Sequence, residues 1–112
     1  MSSQHDPAEF AKCWKWPDFN GSREHVAIAT WLDDDLCFSK SWTDAILAAL
    51  GSASAETRAS YEREGNAWMM TLDDGATVSL IDRTFPAEEG PAQVKVEELL
   101  KILTLFRQKC RN

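Results

Sequence analysis

Two dipeptides limit this chain most strongly. Gly65-Asn66 and Asp74-Gly75 both fall within residues 57–82, and both are residue types that accept the positive φ of a two-residue hairpin turn. The segments around them are rich in strand formers, so residues 57–82 read as a three-stranded antiparallel meander. Register then follows by counting. Glu64 faces Ala67 and Tyr61 faces Met70; Asp73 faces Ala76 and Met70 faces Ser79. Side chains alternate, so one face carries Tyr61, Arg63, Trp68, Met70, Leu72 and Ile81, the expected core face. The other carries Ser60, Glu62, Met69, Thr71, Val78 and Leu80, a mixed face to be covered by the termini or used for binding.

Two helices are expected beside the meander. Ser41 with Asp44 three residues on resembles a capping box, and Trp42, Ala45, Ile46, Ala49 and Leu50 then recur at helical spacing up to a stop at Gly51. Residues 52–56 read as a linker of small residues. Residues 85–91 read as a loop with Glu88-Glu89-Gly90 at its tip. Residues 94–109 read as the second helix, with Val96, Leu99, Leu100, Leu103, Phe106 and Cys110 on one face. Glu97 and Glu98 in its first turn and Arg107, Lys109 and Arg111 at its end suit the helix dipole.

The N-terminal third is less patterned. Residues 1–8 read as a disordered tail. Residues 10–16 alternate weakly up to Pro17, and residues 25–32 (HVAIATWL) have the β-branched and aromatic content of a strand, so the two are expected to pair as a hairpin around Asn20-Gly21. Asp33-Asp34-Asp35 would end the second strand. The fold class is therefore α+β, an antiparallel β-sheet with the 57–82 meander packed with two α-helices, residues 9–112 forming one domain.

Charge narrows the function. Residues 1–93 hold sixteen Asp and Glu against seven Lys and Arg, a charge of −9, and residues 94–112 carry +3. An acidic body has no basic stripe for phosphates, which disfavours nucleic acid as a direct partner and favours a basic protein. No apolar run reaches the length of a membrane span and the polar start has no signal-peptide core, so a cytoplasmic location is expected. Cys13, Cys37 and Cys110 are an odd set without metal or redox spacing, and Cys37 and Cys110 read as packing residues. His5 and His25 are far apart in sequence. No metal site, cofactor or catalytic constellation is expected, and the chain does not read as an enzyme.

The residues expected to bind a partner are the acidic loop clusters, Asp33, Asp34, Asp35, Asp73, Asp74, Glu88 and Glu89, with Trp31 as an aromatic anchor. The stretch RASYEREGNAWMMTLDDGATVSLID, an acidic loop and the closing VKVEELLKILTLFR resemble small immunity proteins of bacterial contact-dependent growth inhibition and related polymorphic toxin systems. The likeness spans residues 59–107 and rests on layout, so it carries no binding residue with it. It implies a protein that neutralises a cognate toxin domain, often a basic nuclease acting on tRNA or DNA, as a monomer in a 1:1 complex, by blocking its active site or substrate groove. A secretion chaperone, small, acidic and usually dimeric, is the alternative expectation.

Overall fold

Asp6-Pro7 starts a helix where a tail is expected. In the computed structural model, which describes residues 6–51, 61–65, 67–72, 74–84 and 90–110, helix α1 runs Pro7–Cys13. The Asp6 carboxylate accepts from the Ala8 N–H at 2.9 Å, and Pro7 occupies the first turn, where its missing N–H costs nothing. The helix closes when Trp16 N–H reaches Ala11 O and Lys15 N–H reaches Lys12 O, with Lys15 at φ 59°. Trp14 and Trp16 are both buried because the chain reverses at Lys15, not because a strand alternates there.

The second expected strand is also helical. Asn20 Oδ1 accepts from Ser22 N–H, Gly21 takes φ 75°, and Ser22 Oγ accepts from His25 N–H, which launches helix α2 at Arg23–Trp31. His25, Ile28, Ala29, Leu32 and Leu36 recur at helical spacing and are all buried. The helix then loosens into a π-helical turn, Leu32–Leu36, with Cys37 N–H bonded to Leu32 O. Cys37 and Phe38, both at positive φ, end it. The expected N-terminal hairpin is therefore replaced by two helices.

Helix α3 spans Lys40–Leu50 and is capped by Ser39, whose Oγ accepts from Trp42 N–H, rather than by Ser41. Its inward face is Thr43, Ile46 and Leu50. Trp42 and Ala45, expected in the core, lie outside it. The expected linker at 52–56 and the start of the meander at 57–60 lie outside the described residues.

Four strands form one antiparallel sheet in chain order: β1 Tyr61–Glu64, β2 Trp68–Leu72, β3 Thr77–Asp82 and β4 Ala92–Lys95. The α+β class holds, with a fourth strand and more helices than expected. Tyr61 pairs with Leu72, two residues from the expected partner, because Gly65 N–H bonds Trp68 O and the turn moves one residue on. A two-residue slip leaves the faces unchanged. The second hairpin slips by one: Met70 pairs with Leu80. Asp74 Oδ1 accepts from both Ala76 and Thr77 N–H, and this longer turn sets Leu72 opposite Val78. An odd slip exchanges faces, so Val78 and Leu80 are buried with Trp68, Met70 and Leu72, and Ile81 moves to the other side.

β4 takes residues expected in the loop and the last helix. It pairs Val94 with Val78 and Ala92 with Leu80, and it runs directly into helix α4, Val96–Arg107. Val96, Leu99, Leu103, Phe106 and Cys110 are buried as expected, joined by Ile102. Helix α4 packs on α3 and β4, α2 on β3 and β4, and α1 on α2, so these helices gather on one face of the sheet. Phe106 sits against Phe10, Trp14 and Phe38, which ties the N-terminal helices to the C-terminal one.

Candidate functional site

The triple aspartate is turned toward the protein. Asp35, only 8% exposed, accepts through Oδ1 from Ala67 N–H at 3.0 Å; Asp34 Oδ2 accepts from the Trp68 indole N–H at 3.1 Å. The extra residue per turn in the π-helical segment points these carboxylates at the β1–β2 turn, where they satisfy donors that a short hairpin leaves over. Asp33 is half-buried. Trp31, the expected anchor, is fully buried and offers no surface. Both Asp34 and Asp35 hold the hairpin to α2, and this use removes them from the free loop cluster that the sequence suggested. Asp74 is exposed but spends Oδ1 on its own turn. Asp73, Glu88 and Glu89 lie outside the described residues.

A second arrangement meets the same turn. Arg63 lies with its guanidinium carbon 4.3 Å from the centre of the Trp42 ring, and Trp42 is 52% exposed, the largest such apolar side chain among the described residues. Asp35 Oδ2 and the Nε and Nη1 of Arg63 are buried and take no hydrogen bond among the described residues. Both groups crowd Gly65: a Cβ there would overlap the Asp35 carboxylate and sit 3.1 Å from Arg63 Nη1. Glycine at 65 is thus required by close approach.

Among the described residues, strand β1 is one of the two outer strands of the sheet, with β4 the other. Because Gly65 N–H bonds Trp68 O, the alternation of an antiparallel ladder turns the N–H and C=O of Arg63 and Tyr61 toward β2 and those of Glu62 and Glu64 away from it. The Glu62 and Glu64 side chains are exposed on the sheet face opposite the helices, while Tyr61 and Arg63 are half-buried on the helix side. Glu64 pairs with Arg83 at 2.8 Å. The sequence alternation already set these residues on two faces; that they form an edge was a matter of topology.

A groove of about 320 Å³ opens between α2 and the sheet, walled by Val26, Ala27, Thr30, Trp68, Leu80 and Ala92. Arg23 stands at its mouth and donates to Gly90 O. That is the small end of ligand-site volumes, room for one apolar group rather than a cofactor. Among the described residues, no three His, Cys, Asp or Glu side chains gather where they could hold a metal ion.

The remaining titratable groups serve packing. His25 is buried; its Nδ1 accepts from Asn20 N–H, and its Nε2 lies 3.3 Å from Glu98 on α4. Cys110 is buried beside Thr43. Cys37, expected to pack, is exposed, and its thiol donates to Asp33 O. Partial burial, and after it the charges of Asp33, Asp34 and Asp35, push the Cys37 thiol pKa up, which makes it a poorer nucleophile. Asp44 on α3 accepts from Arg107 on α4 at 2.6 Å, and that hydrogen bond first, with the positive charge behind it, holds the Asp44 carboxyl below its ordinary range.

No family model, curated protein or solved structure matches this chain. No helix is long and apolar enough to cross a membrane among the described residues.

Proposed function

We propose that this chain is a binding protein that neutralises a basic partner, an immunity protein whose target is a cytoplasmic toxin nuclease, held as one copy to one. The observation that carries this reading is the −9 charge of residues 1–93 on a folded α+β body. Several of its carboxylates, among them Glu9, Glu24 and Glu62, are exposed on the structure. A negative field of this kind speeds encounter with a basic surface and repels nucleic acid, so inhibition follows from covering the nuclease site without turnover. The resemblance of residues 59–107 to immunity proteins supports the same reading. The burial of Trp31 and the internal use of Asp34 and Asp35 move the binding surface away from the triple aspartate.

The test is affinity capture of the tagged chain from its source cells at low salt, with mass spectrometry of the bound protein. A stoichiometric basic toxin domain, released by salt and inactive as a nuclease while bound, is the expected result. Capture of an unfolded secreted effector by a dimer of this chain would overturn it in favour of a secretion chaperone.

A further inference from the structure

We infer that the β1 edge is the docking surface, and that its occupant is an extended segment of the partner with alternating basic and apolar side chains; this deepens the binding reading above and rests on it. Three features of β1 and the neighbouring Trp42 lead there. The outward N–H and C=O groups of Glu62 and Glu64 are the hydrogen-bonding groups a fifth strand needs. The side chains of those two residues, exposed on the open face of the sheet, are both acidic, Glu64 already sharing its carboxylate with Arg83. On the helix side, half-buried Tyr61 and Arg63 share one face of β1, and the Arg63 guanidinium lies over the exposed Trp42 ring, so Tyr61 and Trp42 supply the apolar surface there.

A strand added at this edge alternates its side chains as β1 does. Those on the open face meet Glu62 and Glu64 and are favoured if basic. Those on the helix side meet Trp42 and Tyr61 and are favoured if apolar. Charge complementarity also decides against a second copy of this chain, because pairing β1 with β1 sets glutamates against glutamates, and like charges opposite each other across strands are unfavourable. Short, charged edge strands are a common protection against such pairing, and here the same charges select a basic strand.

The experiment uses the whole chain, labelled with ¹⁵N, and a soluble peptide of alternating lysine and valine. Peptides of the same composition in blocks, and of alternating glutamate and valine, are the controls. Binding is read at low salt by chemical-shift changes and by hydrogen exchange of the Glu62 and Glu64 amides. The expected result is slower exchange at those two amides, shifts at the Trp42 indole, and affinity about tenfold weaker for each of Glu62→Lys and Trp42→Ala. Glu62→Gln, which keeps shape and backbone, falls between wild type and Glu62→Lys. Shifts elsewhere with unchanged Glu62 and Glu64 exchange, equal binding of the glutamate peptide, or a dimer through β1 would each overturn the proposal. The two readings separate cleanly. A toxin captured equally well by the Glu62→Lys and Trp42→Ala variants removes the edge and leaves the immunity function. Edge binding of the lysine peptide with no toxin captured leaves the edge and removes the immunity function.

Discussion

Two acidic segments of this molecule look alike in sequence and behave differently in structure. Asp33-Asp34-Asp35 sits in a π-helical turn and is drawn inward, where Asp34 and Asp35 accept from the Trp68 indole and the Ala67 amide. Glu62 and Glu64 sit on an edge strand with exposed side chains, that of Glu64 in a surface ion pair with Arg83. The first segment is the denser cluster and was the better candidate by composition. What separates them is where the side chains point: Asp34 and Asp35 reach the Trp68 indole N–H and the Ala67 N–H, while the Glu62 side chain projects from the sheet face into solvent. Acidic density alone therefore does not make a carboxylate free when a neighbouring N–H needs an acceptor.

Substitutions at the two segments should break or sharpen that contrast. The largest expected effect is at Asp35. Asp35→Ala leaves the Ala67 N–H without its acceptor and should lower unfolding free energy by about 1–3 kcal/mol in urea denaturation. Glu62→Ala should change it by less than about 0.5 kcal/mol, since the Glu62 side chain is exposed on the sheet face. Equal losses at the two sites would remove the distinction.

Gly65→Ala tests the crowding between the segments. The added methyl has to displace a buried carboxylate, and a destabilisation of about 1–3 kcal/mol is expected. The penalty should shrink in an Asp35→Ala background, because the two sites are in contact; strictly additive values in a double-mutant cycle would contradict the collision.

A smaller effect is expected with pH at Asp44. Its carboxyl is lowered in the folded state by Arg107, so its contribution is present above the ordinary carboxylate range and is lost as pH falls through the lowered folded-state value. Wild type and Arg107→Gln should therefore differ in stability at neutral pH and converge in strong acid. A gap that stays constant down to the acid limit would assign the Arg107 effect to packing. The smallest change concerns Cys37. Alkylation of this exposed thiol should accelerate only at higher pH than a free cysteine requires, and replacing Asp33 with Asn should move that profile down.

How far the sequence could be read differs along the chain, for identifiable reasons. Helix α4 was legible because Val96, Leu99, Leu103 and Phe106 repeat at one period over several turns, and no other element competes for them. The 57–82 meander was legible in its strands and its first hairpin's faces. It failed at Asp74-Gly75, where one aspartate oxygen taking two amides lengthened the turn and flipped β3. Strand β4 was missed because four residues have no period of their own; pairing with β3 makes them a strand. Residues 25–32 satisfy both templates: β-branched and aromatic content suggests a strand, while the buried set of His25, Ile28, Ala29, Leu32 and Leu36 is helical. Of the proposed docking residues, Glu62 and Glu64 follow from the strand alternation, whereas the apolar spacing that points Trp42 at the core is overridden by the buried face of Thr43, Ile46 and Leu50.

The amino-acid sequence by itself determined the acidic body, the antiparallel meander, the closing amphipathic helix and the α+β class, because each depends on local pattern or on a sum over residues. Tertiary structure decided which carboxylates are spent internally, which strand is an edge, which tryptophan meets solvent and which face β3 turns inward. Those outcomes depend on hydrogen-bond partners and neighbours distant in the chain: Asp35 with Ala67, Arg63 with Trp42, Val78 with Val94. No local period encodes a contact of that kind.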